Sequence, residues 1–190
     1  MGTDVREWLR QCGTETVRHP GGTLFAHLCR VQERLAGFGH DEDVQAAGLT
    51  HAAYSTDGFD LALVFWQDRD RLRDLIGVPA EELVYLYGAC DRDRTWERLA
   101  ETRQVTNRFT GDVHKLTDAQ LTPFVDLSIV NELDVFDQTP EILSRNIGYF
   151  RKLFTAWEPM ASTPVAAEVR KALSRQQRQQ PSRPPTQTRR

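Results

Sequence analysis

An all-α fold, a single helical bundle, is predicted for this 190-residue chain by three features. Apolar residues recur at three- and four-residue steps along most of its length. Capping residues stand in front of those runs, and Gly, Pro or Asp interrupt them at short intervals. Only the segment from Asp57 to Trp66 could hold a short strand, because Leu61 to Trp66 is apolar without helical polar spacing, and a buried helix turn or loop is equally allowed there.

Taken in order, Thr3 is placed to cap a short first helix ending near Cys12. The loop His19-Pro20-Gly21-Gly22 leads to Thr23, an N-cap for a helix whose stripe is Leu24, His27, Leu28, Val31, Leu35 and Phe38. Gly37 and Gly39 end that helix, and Asp41 caps the next, which carries Val44, Ala47, Gly48 and His51. Asp68 to Ile76 reads as a helix stopped by Gly77. Pro79 opens another, expected to run through Leu83, Val84, Tyr87 and Asp91. After Trp96 and a polar stretch, Thr117 caps a long helix through Leu121, Phe124, Ser128 and Asn131. Thr139-Pro140 then starts one continuing to about Trp157.

Composition fits one globular body: 39% of residues are hydrophobic and 27% charged, enough for a real core. Residues 1–160 are assigned to the helical domain, and 161–190 to a C-terminal helix extension and basic tail. From Glu168 to Arg190 there are seven bases and one acid, a balance of +6, so the net charge of −3 leaves −9 on the rest. Everything after Leu173 is Gln, Pro, Ser, Thr and Arg, the composition of a disordered end. An acidic body argues against nucleic acid as the main partner. There is no eighteen-residue apolar run to span a membrane and no secretory signal near Met1. Cys12, Cys29 and Cys90 form neither a disulfide framework nor a metal-spaced pair, as expected of free thiols in the cytoplasm.

Two of the five histidines carry chemistry by position. His27 and His51 both lie on the apolar stripes of consecutive helices, and an inward imidazole must satisfy one donor and one acceptor nitrogen. A shared metal or ligand site competes here with two separately satisfied core histidines. His40 and His114 sit in polar surroundings and are expected to be solvated. No Gly-rich phosphate loop or nucleophile elbow is present.

The stretch Leu24-Phe25-Ala26-His27-Leu28-Cys29-Arg30-Val31, a helix break, then Ala46-Ala47-Gly48-Leu49-Thr50-His51-Ala52-Ala53-Tyr54 resembles the opening of HD-domain metal phosphohydrolases. Ser128-Ile129-Val130-Asn131-Glu132-Leu133 stands in the place of that family's later acidic ligand. The likeness covers roughly Thr23 to Asp134, and His19-Pro20-Gly21-Gly22-Thr23-Leu24 with Thr56-Asp57-Gly58-Phe59 is similar to a narrower HD-like group. It implies an HD-like helical bundle holding a divalent metal (iron, zinc or manganese) and a hydrolase or oxygenase acting on a phosphorylated or other small molecule. Two departures bear on this. Ala52 stands where the family has the aspartate of its His-Asp pair, and Asn131 where it has the second aspartate.

Carboxylates anchor hard cations, whereas alanine gives nothing and asparagine only a neutral oxygen. The resemblance then points to a replacement ligand set of His27, His51 and Asp91, with His19 beside them; against it, Asp91 also reads as a helix-end residue or the salt-bridge partner of a nearby arginine. Asn131 is expected to orient substrate or water and Glu132 to act as general base. Tyr54, Ser55, Thr56 and Asp57, which follow His51, are pocket-lining candidates. The alternative function is a metal-free HD-like module that binds a small molecule or a partner.

Overall fold

The structure, a computed structural model, describes residues 4–179. It is mostly helical, with three two-stranded antiparallel hairpins inserted between helices. Thr3 and the tail beyond Gln179 lie outside the described residues, and Asp4 carries the first cap, accepting from the backbone N–H of Arg6.

Helix α1 (Val5–Gln11) is followed by a hairpin of β1 (Arg18–His19) and β2 (Gly22–Thr23). Helices α2 (Leu24–Gly37) and α3 (Glu42–Thr50) start where Thr23 and Asp41 cap them, through side-chain oxygens bonded to the N–H groups of Ala26 and Val44. A second hairpin pairs β3 (Tyr54–Thr56) with β4 (Phe59–Ala62); β4 lies within the segment that could hold a short strand, β3 precedes it, and residues 63–66 are not strand. Then come α4 (Arg69–Ile76) and α5 (Val78–Gly88), and short helices α6 (Arg92–Thr95) and α7 (Leu99–Thr102) around a 3-10 turn. The hairpin of β5 (Gln104–Thr106) and β6 (Val113–Lys115) occupies what reads in the sequence as a polar stretch.

Helix α8 (Asp118–Gln138) opens with a capping box between Thr117 and Gln120 and is the centre of the molecule. Its residues from Phe124 to Asp134 are all buried, because α2, α3, α5 and the last helix, α11 (Thr163–Gln179), pack around it. A helix enclosed on every side should be apolar all round. This one also buries Asp126, Ser128, Asn131, Glu132 and Asp134, and each of these needs a partner inside.

The helix expected from Pro140 to Trp157 is two, α9 (Pro140–Arg145) and α10 (Ile147–Trp157), separated at Asn146. The last helix, α11 (Thr163–Gln179), continues six residues past Leu173, where the composition suggested an unstructured end. Val165, Ala166 and Val169 of α11 are in the core, so the C-terminal extension is part of the packed body. Among the described residues no helix is long and apolar enough to cross a membrane.

Close approach of α2 and α3 depends on Gly48. A Cβ there would lie 2.4 Å from Cδ1 of Leu35. Absence of that atom brings the two helices together at the turn that carries His51, with His27 on the facing side of α2.

Candidate functional site

The functional side chains converge where α2, the end of α3 and α8 meet. His27 and His51 are buried, at 1% and 2% exposure, and their Nε2 atoms are 3.3 Å apart. Asn131, from α8, places Oδ1 3.1 Å from the same Nε2 of His27.

Proton positions follow from the outer partners. His51 Nδ1 is 2.8 Å from the carbonyl oxygen of Gly48, which can only accept, so Nδ1 carries the proton and Nε2 a lone pair. Burial, reinforced by His27, lowers the pKa of His51 to about 3, which keeps the ring neutral. His27 Nδ1 is 2.7 Å from the Asp134 carboxylate and donates to it; with that as the ring's one proton, Nε2 is a lone pair. Asn131 is oriented by Nδ2 donating to Glu132 Oε1 at 3.1 Å, which turns its oxygen toward His27. Both imidazole lone pairs and the amide oxygen therefore face one another. Acceptors this close repel unless a cation, a metal ion or a proton, lies among them.

The spacing suits a metal ion. Two nitrogens each about 2.1 Å from an ion at the tetrahedral angle lie about 3.4 Å apart, against the observed 3.3 Å. A carboxylate behind a ligating histidine is the usual outer partner. Burial pushes Asp134 upward, but hydrogen bonds from His27 and Arg30 outweigh it and hold the carboxyl at about 2. Arg30 grips both Asp134 oxygens, at 2.7 and 2.8 Å, and also donates to the carbonyl of Pro20 in the β1–β2 turn. Among the described residues no group of three or more His, Cys, Asp or Glu side chains is placed to hold a metal ion. The inward-facing atoms come from two imidazoles and one amide, with no carboxylate oxygen among them. Such donors suit borderline transition metals better than magnesium or calcium.

His19 stacks on His27 with ring centroids 4.0 Å apart, and its buried Nδ1 has no hydrogen-bond partner. Burial, with His27 next, lowers its pKa to about 4. The hairpin that carries it turns at Gly21, where φ is +76° and a Cβ would run into Gln138. His19 is thus a spare neutral nitrogen at the edge of the convergence.

Asp91, expected as a ligand, is not brought to the histidines. Helix α5 ends at Gly88 instead of continuing, because Cys90 pairs with Asn107 and the Asp91 N–H bonds to the carbonyl of Thr106. Asp91 caps α6 instead, with Oδ1 accepting from the Arg94 N–H and Oδ2 facing the Arg94 guanidinium at 3.4 Å. The chain reversal delivers its neighbour Arg92 to the site. Glu132 sits beside Asn131 as expected. Burial raises its pKa while Arg92 opposes this, donating from Nη1 to Oε1 at 3.1 Å. His114 is exposed as expected, but His40 is not solvated: it bonds to the buried Asp126 at 2.9 Å.

A cleft of about 330 Å³ opens over the convergence and is lined by His19, His27, His51, Asn131 and Glu132 together with Arg18, Ala52, Thr56, Asp57, Phe59 and Arg92. Of the residues following His51, Thr56 and Asp57 line it, whereas Tyr54 turns away to Glu81 and Ser55 to Arg108. Arg18, Arg92 and Asp134 were missed in the sequence. Asp134 was the findable one, three residues beyond Asn131 and so on the same face of a buried helix.

A family model described as a domain of unknown function (DUF6817) matches residues 8–92. That span holds His19, His27, His51, Asp57 and Arg92 but not α8. No curated protein and no solved structure matches the chain. The detected similarity is thus to a domain of unknown function, over the part of the chain that supplies the site's histidines.

Proposed function

We propose that this chain is a divergent HD-like, metal-dependent enzyme, a hydrolase for a small phosphorylated or related substrate. Its ion is held by His27, His51 and Asn131. The observation that carries the reading is the meeting of His51 Nε2 and the Asn131 amide oxygen with His27 Nε2, at 3.3 and 3.1 Å, while the outer partners engage the other ring nitrogens. The HD-like order of the motifs supports it independently: the histidines at 27 and 51 and the polar residue at 131 stand where that resemblance expects ligands.

A divalent ion at this position supplies Lewis-acid polarisation of a substrate oxygen. The chain's own residues do the rest. Asp134 and the Gly48 carbonyl fix the tautomers and planes of His27 and His51. Glu132 holds Asn131 through Oε1, and as a cleft-lining carboxylate it is the group placed to take a proton from water or substrate. Ala52 leaves room at the cleft wall where a fourth, anionic ligand would otherwise stand.

The second reading is a metal-free binding module, favoured by the absence, among the described residues, of three or more His, Cys, Asp or Glu side chains placed to hold a metal ion. Thermal unfolding separates the two. With zinc, nickel or iron(II) in excess over its Kd, the metalloenzyme reading expects a rise in Tm, since binding to the native state adds about 2.7 kcal/mol at a hundredfold excess. Chelator reverses that rise, and His51→Ala abolishes it. A Tm indifferent to all three metals supports the module.

A further inference from the structure

We infer that the cleft contains a separate anion subsite, formed by Arg18 and Arg92, so that its ligand is a small organic anion. This rests on the cleft being a ligand site, and not on the metal. Arg18 and Arg92 come from opposite parts of the chain, one on the β1–β2 hairpin and the other opening α6, and both line the same cavity.

Their surroundings differ in a way that makes the pair useful. Arg92 is fixed. Nη1 donates to Glu132 at 3.1 Å, Nη2 donates to the Tyr87 hydroxyl at 2.8 Å, and the guanidinium lies 4.6 Å over the Trp96 ring. A guanidinium has five N–H donors, so these two bonds leave three unspent on a side chain still 22% exposed. Arg18 is exposed and makes no ion pair among the described residues, so its charge is not neutralised by the fold. The two carboxylates in the cleft are both tied to Arg92, Glu132 by its side chain and Asp57 by accepting the Arg92 backbone N–H at 2.8 Å. A rigid fork and a free cation facing one cavity are suited to a phosphate or carboxylate.

The apolar wall completes the description of the ligand. Phe59 lines the cleft, with its ring centroid 5.8 Å from that of His19, and Leu24 lines the same cleft. An anion with an aromatic or aliphatic body fits, its head toward the arginines and its body on Phe59.

The test is calorimetric titration of the full chain with phenylphosphonate, with benzoate and with the neutral benzyl alcohol. Each is run with chelator and again with added zinc. Phenylphosphonate or benzoate should bind with benzyl alcohol at least tenfold weaker, and Arg18→Ala should weaken the anion about tenfold without changing Tm. Whichever anion binds more tightly identifies the head group. Arg92→Lys, which keeps the charge but loses the fork, should cost a similar factor. Because the subsite is made without the metal ligands, anion binding should survive in His51→Ala and in chelator. Equal binding of benzyl alcohol, or an Arg18→Ala variant that binds the anions as wild type does, overturns the inference. Loss of zinc binding alone leaves it standing and counts only against the metal.

Discussion

Two buried polar clusters, one around Glu81 on α5 and one around His27 on α2, are built to opposite rules. Around Glu81, which is fully buried, every acceptor is answered. Oε1 takes the Tyr54 hydroxyl and Arg69 Nε, each at 2.7 Å, and Oε2 takes Arg69 Nη2 at 2.7 Å and Arg73 Nε at 3.0 Å. Nothing is left to bind, and the cluster joins α4 and α5 to the β3–β4 hairpin. Around His27 the outer bonds are equally complete, through Asp134, Arg30, Gly48 and Glu132, while the inner atoms, two imidazole Nε2 and the Asn131 Oδ1, have only one another. A saturated polar cluster holds a fold together, and one saturated only from outside prepares a site.

Breaking each cluster should therefore have different consequences. Glu81→Gln leaves two arginines without their buried carboxylate and should cost about 3 kcal/mol, the lower end for such a loss because both guanidiniums reach water. Urea denaturation would show it, while metal affinity per folded molecule stays the same. Asp134→Asn should do the reverse. It should reduce metal affinity by about 10- to 100-fold with a smaller loss of stability, and a metal titration unchanged from wild type would remove Asp134 from the site.

Acidification sharpens the contrast further. His51 and His19 have folded pKa values of about 3 and about 4, both below the 6.5 of an unperturbed ring. Between those limits the unfolded chain binds more protons than the folded one, so stability falls as pH drops from about 6.5 toward 3–4. Asp134, depressed to about 2, loses its own contribution only below 3.8. Chelated wild type should lose stability steadily from pH 6.5 to 4.5, and His51→Ala should show a shallower slope. Equal slopes would contradict the buried neutral assignment of His51.

What the sequence disclosed about this site was local. Thr23 and Asp41 announce the starts of α2 and α3, and the apolar stripes put His27 and His51 inside. The likeness of 128–133 to a ligand helix marks Asn131 and Glu132. What it hid was set by contacts between distant segments. The apolar period continues past Gly88, but bonds from Cys90 and Asp91 to the β5–β6 hairpin stop the helix there and exchange Asp91 for Arg92. His40 looks solvated in its own neighbourhood, and only the fold brings Asp126, 86 residues away, to it. Arg18 gave no signal, since an arginine beside a glycine turn is ordinary until its hairpin is seated at the cleft by Arg30 and Gly21.

The central claim, that the unanswered acceptors around His27 hold a metal ion, is tested most directly by elemental analysis. Wild type and His51→Ala are purified side by side after reconstitution with zinc, iron(II) or nickel. The account predicts near-stoichiometric metal in the wild type and little in the variant, with Glu81→Gln retaining metal in its folded fraction. Wild-type protein that holds none of the three metals, or a His51→Ala variant that holds as much, would contradict it.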